Sequence, residues 1–155
     1  MSRIDESRPF IPVRIAVLTV SDTRSLADDK SGATLAARIE DAGHTLADRA
    51  IVTDDGDAIS GKVTDWAYDP NIEVIITTGG TGFTGRDVTP EAIEPMFEKR
   101  MDGFSTLFHR VSFEKIGTST IQSRATAGLM HQTFVFVLPG SPGACKDAWY
   151  EILKP

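Results

Sequence analysis

Two aspartates and an arginine stand beside a run of glycines in this chain. Residues 72–95 read IEVIITTGGTGFTGRDVTPEAIEP. A strand of buried type, Ile72–Thr77, leads into Gly79, Gly80, Gly82 and Gly85, followed by Arg86–Asp87. Thr89–Pro90–Glu91 then reads as a helix start, with Thr89 as N-cap and Pro90 at the first helical position. Such a unit suits an anion. Glycines admit positive φ and close backbone approach, and loop N–H groups and the positive end of a helix favour negative charge. An aspartate in that setting, Asp87, calls for a metal ion or a reacting group. A second carboxylate, Asp54, opens the acidic turn Asp54–Asp55–Gly56–Asp57. Paired carboxylates can hold magnesium on a nucleotide, because magnesium takes a few carboxylates and keeps waters. The ion would offset charge on a transferring phosphoryl group.

Each of these residues also has an ordinary use. Either aspartate alone could cap a helix or face solvent, and that is the reading for Asp55 and Asp57. Arg86 suits bidentate phosphate contact or a surface salt bridge. Ser21 and Asp22 suit the polar edge of a ring, or a chain turn. Pro139–Gly143 could close on a ligand or simply enter the last helix. Arg124 reads as a salt-bridge partner before an anion contact. Gly80-x-Gly82-x-x-Gly85 formally matches the dinucleotide fingerprint, but the helix should open at the third glycine, and here its signals fall at Pro90. A phosphate-loop NTPase needs Lys–Ser/Thr where this chain has Arg86–Asp87. His44, His109 and His131 lack zinc spacing.

The elements that must position these residues are legible in the pattern. Arg14–Val20 (RIAVLTV) is a nearly continuous β-branched run, suited to a strand buried on both faces. Ala27–Gly32 reads as a polar loop. Leu35, Ile39 and Ala42 then space a helix that stops at Gly43. Thr45–Thr53 reads as a second strand, and Ile59, Val63 and Trp66 space a second helix. The third helix carries Ile93, Met96 and Phe97; Phe104, Leu107, Phe108 and Val111 stripe a fourth, closed near Gly117. Arg124–Leu129 and Thr133–Leu138 read as strands around His131–Gln132. A last helix packs Cys145, Ala148, Trp149 and Ile152. Alternating strands and helices imply a three-layer α/β/α sandwich with a mainly parallel sheet and one antiparallel hairpin strand near the C-terminus. Ligands bind such sheets outside the carboxyl ends of the strands. Four loops follow expected strands: Ser21–Asp22, Asp54–Asp57, Gly79–Asp87 and Pro139–Gly143. Parallel strands would gather all four at one edge.

The 155 residues fit one domain, 12–155, behind a flexible arm, 1–11. A net charge of −6 argues against nucleic acid as the main partner. No apolar run approaches the roughly 20 residues that span a bilayer, so no membrane partner is expected. MSRIDESRPF lacks the apolar segment of a signal peptide. A single cysteine, Cys145, allows no intrachain disulfide and no thiol metal cluster, and fits a reducing, cytoplasmic setting.

Several motifs together resemble one family. Thr78–Gly82 with Arg86–Ala92 (TGGTG…RDVTPEA), Leu18–Asp22 (LTVSD) and Leu138–Pro142 (LPGSP) look like the MoaB/MogA family of molybdenum cofactor biosynthesis. The stretch GFSTLFHRVSFEKIGTSTIQSRA, starting at Gly103, looks more like the MoaB branch. The resemblance covers roughly residues 12–154. It implies a domain that binds molybdopterin, and in active members adenylylates it with magnesium-ATP, releasing pyrophosphate. An enzyme that inserts molybdenum would act downstream. Asp87 matches the loop aspartate the family needs for turnover. Asp54 matches the acidic residue after the second strand, although VTDD departs from the common hydrophobic-Pro-Asp-Glu form. Both would be catalytic and hold magnesium. Ser21, Asp22, Thr78, Gly79, Gly80, Thr81, Gly82, Arg86, Pro139, Gly140, Ser141 and Pro142 match segments lining the pterin pocket. The resemblance also implies a homo-oligomer, a hexamer before a trimer. Its alternative is a catalytically silent paralogue that binds molybdopterin or serves assembly.

Overall fold

The computed structural model describes residues 5–155. Six strands run in chain order as β1 (Arg14–Val20), β2 (Thr45–Val52), β3 (Val74–Thr78), β4 (Lys99–Arg100), β5 (Thr126–Met130) and β6 (Thr133–Leu138). They form one sheet in the order β2-β1-β3-β6-β5-β4. The first four strands in that order are parallel, and β5 and β4 are antiparallel additions. The helices are α1 (Lys30–Asp41), α2 (Gly56–Ala67), α3 (Thr89–Ile93), α4 (Asp102–Ile116) and α5 (Pro142–Ala148).

β1 shows why there are three layers. Ile15 and Val17 point into one core with Leu35 and Ile39 of α1, Phe104 and Phe108 of α4, and Cys145 and Ala148 of α5. Ala16, Leu18 and Val20 point into a second core with Ile59, Val63 and Trp66 of α2 and Ile93 of α3. Alternate side chains of one strand thus feed both faces, as a strand covered on both sides requires. The chain leaves β1 toward β2 over one face, then crosses from β2 to β3 over the other. Right-handed crossovers in opposite directions put α1 and α2 on opposite faces. The reversal lies between β1 and β3, which is where such sheets open a ligand crevice.

Three elements differ from the sequence expectation. The antiparallel extension has two strands rather than one, because Lys99–Arg100 pairs with Leu129 and Gly128. Two exposed basic residues carry no strand pattern to detect. The third helix is only five residues long and passes into a 3-10 turn at Glu94–Met96. Pro95 lacks the N–H that a continuing α-helix would need. Lys30, placed in the polar loop by the sequence, already starts α1, with Asp29 as its N-cap. Of the expected N-terminal arm, residues 1–4 lie outside the described residues. Further along it, the Phe10 ring packs on His44 with centroids 5.1 Å apart. Among the described residues, no helix is long and apolar enough to cross a membrane.

Gly128 in β5 has no room for a side chain. A Cβ there would lie 2.4 Å from Cγ of Phe97 and 2.8 Å from the Lys99 carbonyl oxygen. Gly128→Val should therefore expel Phe97 and strain the β4–β5 pairing. A loss of about 1–3 kcal/mol is expected from such overpacking, measured as a lower urea midpoint at unchanged slope.

Candidate functional site

Ladder register brings the four loops to one level. Val20 pairs with Val52, Thr19 with Thr78, and Thr78 with Leu138. The pairing continues one residue beyond the strands, where the Ser21 N–H donates to the Val52 carbonyl (2.9 Å) and the Gly79 N–H to that of Leu138 (3.1 Å). The loops after β1, β2, β3 and β6 therefore start side by side along the carboxyl edge.

The glycine loop is built on two residues that need φ > 0, Gly79 at +100° and Gly80 at +70°. A Cβ at Gly79 would meet the Val20 carbonyl at 2.3 Å, and one at Gly80 the Thr89 hydroxyl at 2.2 Å. Thr89 is not a side-chain N-cap, contrary to the sequence reading. Val88 occupies the cap position, and the Thr89 hydroxyl instead donates to the Gly79 carbonyl at 2.9 Å. The Thr89 N–H closes the loop on the Gly80 carbonyl at 3.0 Å. With α3 one turn long, its dipole adds little; the loop's own N–H groups are the main donors for an anion.

Asp22, Asp54, Arg86 and Asp87 converge around this loop. Arg86 grips Asp22 with both prongs, Nε to Oδ2 at 3.0 Å and Nη2 to Oδ1 at 2.8 Å. The Asp54 N–H donates to Asp22 Oδ1 at 3.0 Å. Asp22 thus links three loops, and the Arg86 guanidinium is already engaged by a carboxylate. The Asp87 carboxylate accepts from the Thr84 hydroxyl (2.7 Å) and N–H (3.0 Å). It also sits against Gly82, where a Cβ would come within 2.8 Å of Oδ2.

Electrostatics separate the two catalytic candidates. Hydrogen bonds from Thr84, chiefly its hydroxyl, and from the Gly82 N–H hold the Asp87 carboxyl below the usual range, with help from the Arg124 charge. Asp54 goes the other way. Partial burial pushes its carboxyl up, and the charges of Asp22 and Asp87 push it further. Asp22 is depressed, first by its hydrogen bonds from Arg86.

Other candidates also make contacts within the scaffold. The buried Thr78 hydroxyl donates to the Pro139 carbonyl at 2.8 Å and meets Cys145 Sγ at 3.3 Å, so its side chain ties two loops together and faces the core. Thr81 is buried. Ser21 Oγ accepts from the N–H of Thr23 and Arg24, and Ser141 Oγ caps α5 through the Ala144 N–H. Each of these two hydroxyls keeps a proton to donate. Gly140 is held by the Ser31 hydroxyl at 2.7 Å, and Pro142 is the first residue of α5. Burial raises the Cys145 thiol to about 11, which suits a core residue and no nucleophile.

Sequence reasoning missed one support. Asp29, with its side chain wholly buried, accepts from the Thr19 hydroxyl (2.6 Å), the Gly32 N–H (3.0 Å) and Arg49 (3.2 Å). It fixes the start of α1, from which Ser31 reaches Gly140. Its signal was an aspartate just ahead of an apolar helical stripe, the pattern of an N-cap. Arg124, read from the sequence as a salt-bridge partner, is one, and it also holds the glycine loop. It donates from Nε to the Thr81 carbonyl and from Nη2 to that of Gly82, both at 2.9 Å, and pairs with Glu91.

A cavity of about 600 Å³ lies elsewhere, between Phe104, Leu107, Phe136 and Leu153. The glycine loop lines an open shelf, with Phe83, Thr84, Gly85 and Arg86 exposed. The converging carboxylates, rather than concavity, mark it as the candidate site.

Residues 16–155 match a domain family described as a probable molybdopterin binding domain. The chain belongs to this family. Its relatives place it with the B-type members. It is 46% identical over 149 residues to molybdenum cofactor biosynthesis protein B of Escherichia coli K12, covering 96% of this chain and 88% of that protein. The protein of the same description from Bacillus subtilis is 44% identical over 144 residues, covering 92% and 85%. A crystal structure of a molybdenum cofactor biosynthesis protein B superposes with a TM-score of 0.92 at 38% identity, covering 96% of this chain and 92% of that one. The family's work is molybdenum cofactor biosynthesis, and the glycine-loop shelf is this member's candidate site.

The crowding of Asp54 has a pH signature. Its folded pKa is raised, so its charged form destabilises the fold at neutral pH, and that penalty fades as pH falls through the folded value. Asp54→Asn should therefore raise the Tm slightly at pH 7. The gain should shrink toward zero on acidification below the ordinary aspartate range. Thermal unfolding of both proteins across pH 3–7 reads this directly.

Proposed function

We propose that the shelf binds molybdopterin and that the protein adenylylates it with magnesium-ATP, releasing pyrophosphate. The observation that carries this reading is the meeting of Asp54 and Asp87 with the glycine loop at one sheet edge, in a chain of a molybdopterin-binding family. A terminal phosphate oxygen of molybdopterin attacks the α-phosphorus of ATP. The new P–O bond forms as the bond to the bridging β-oxygen breaks, and pyrophosphate leaves with that electron pair. The nucleophile belongs to the substrate, so the protein needs none. Its task is to align the two phosphates and answer their charge, the larger part of catalysis in phosphoryl-group transfer.

The residues divide that task. Loop N–H groups, freed by the turns at Gly79 and Gly80, donate to phosphate oxygens. Arg86 exchanges Asp22 for phosphate or steers it from beside the pair. Ser21 and Ser141 each offer a hydroxyl proton, and Pro139–Pro142 borders the shelf. Asp54 and Asp87 would hold magnesium, which offsets the charge of the reacting phosphates when bound. They fit it: Asp54 is pushed up by burial and by two neighbouring carboxylates, a repulsion that a cation relieves. Among the described residues, no group of three or more His, Cys, Asp or Glu side chains could hold a metal ion. The remaining ligands would come from phosphates and water, magnesium's usual habit.

The same reading takes the protein to be a homo-oligomer, a hexamer before a trimer, working in the cytoplasm. It hands its product to an enzyme that inserts molybdenum. Phe113 and Ile116 of α4 and Ile121 beyond it are 57%, 53% and 73% exposed, an apolar surface of the sort that oligomers cover.

Pyrophosphate release from ATP, with magnesium and molybdopterin, tests the chemistry. Asp87→Asn should cut turnover at least 10²-fold, the size expected when charge stabilisation in the transition state is lost. Molybdopterin affinity should stay within a few-fold. Tight binding without release by the wild-type protein would instead identify a silent pterin-binding paralogue. Gly80→Val, whose side chain would strike Thr89, should abolish binding and turnover together; retained binding would remove the loop from the site.

A further inference from the structure

Arg124 lies just before β5, outside the four edge loops, yet its guanidinium reaches under the glycine loop. Nε donates to the Thr81 carbonyl at 2.9 Å. Nη2 donates to the Gly82 carbonyl at 2.9 Å and the Asp87 carbonyl at 3.3 Å. Nη1 is anchored by Glu91, and the Phe83 ring lies over the group at 5.4 Å. In a planar trans peptide the C=O of one residue and the N–H of the next point in opposite directions. Turning the Thr81, Gly82 and Asp87 carbonyls toward Arg124 therefore turns the N–H groups of Gly82, Phe83 and Val88 away from it. The Gly82 N–H is the one that meets the Asp87 carboxylate.

We propose that Arg124 is the positioning residue of this loop, a fork that fixes three carbonyls inward so that loop N–H groups and the Asp87 side chain face the substrate phosphates. The proposal rests on the adenylyl-transfer reading for its kinetic effect, but its structural effect is independent of that chemistry. A fork is required. Lysine would keep the charge, but its compact ammonium lacks the planar, pre-organised donors that span these acceptors.

The test compares wild-type protein with Arg124→Lys and Arg124→Gln in the full chain. Amide hydrogen exchange is followed at Thr84, Asp87 and Thr89, whose N–H groups are bonded within the loop, with β1 and β3 amides as the control. Both variants should keep wild-type exchange in the strands and speed it about tenfold or more at the three loop amides. Pyrophosphate release should fall on the order of 10²-fold in kcat, the cost of roughly an ångström of misplacement, with KM for ATP changing less. Lys should rescue no better than Gln. Unchanged loop exchange in a folded variant would overturn the proposal. So would wild-type kcat despite a loosened loop, or full rescue by Lys, which would reduce Arg124 to a point charge. If the wild-type protein releases no pyrophosphate, the adenylyl-transfer reading fails while the exchange experiment still decides the role of Arg124. Should Arg124→Gln not fold, Glu91→Gln removes the anchor and leaves the fork; it should loosen the same three amides to a smaller degree, and no change there would count against the proposal.

Discussion

Everything at the candidate site depends on four parallel strands ending at one height. Main-chain hydrogen bonds set that height, through Val20 with Val52, Thr19 with Thr78 and Thr78 with Leu138. A slip of one residue would reverse every side chain between the two cores. Ile15 and Val17 would trade faces with Ala16 and Leu18, so burial of both faces locks the register. Register then sets where Ser21, Asp54, Gly79 and Pro139 begin. The core places the site before any site residue makes a contact of its own.

The edge so formed holds more negative charge than a phosphate site would be expected to carry. Asp22, Asp54 and Asp87 stand together in a chain of net charge −6. Each carboxylate is handled differently. Asp22 is neutralised by Arg86, and Asp87 is satisfied by Thr84 and Gly82. Asp54 is left crowded, its ionised form disfavoured by burial and by both neighbours. A protein selected only for stability would not keep that crowding. Crowding of this kind is common where function requires it, and on the proposed reading a cation brought in with a nucleotide would relieve it.

Much of this was legible in the sequence, and the reason differs by element. β1 and β6 matched their expected bounds because each is a hydrophobic run closed by a polar or proline turn. The gathering of four loops followed from alternation of strands and helices alone. What the sequence could not show was pairing between side chains far apart in the chain. Arg86 and Asp22 are 64 residues apart, and their joint use as a clasp is invisible to local pattern. The same holds for Ser31 with Gly140 and for Arg124 with the glycine loop. Thr89 shows a subtler failure. Its place before proline matched an N-cap, but the tight turn at Gly79 and Gly80 brought a carbonyl within reach of its hydroxyl, and the tertiary bond won. β4 had no signal, since two exposed basic residues pair only because β5 offers an edge.

The clasp between Arg86 and Asp22 also bears on how an acidic protein could take polyanionic substrates. A free arginine on the shelf would attract any phosphate. Held bidentately, Arg86 has most of its local field cancelled, and an incoming group must compete with a carboxylate for it. A lone small anion gains little from that exchange. A ligand that also engages the loop N–H groups and brings a cation to Asp54 can offset the loss of the clasp from several contacts at once. Selectivity of this sort comes from the cost of separating Arg86 from Asp22 as much as from attraction. On the proposed reading, it would favour ligands that carry several phosphates and their own metal over inorganic phosphate alone.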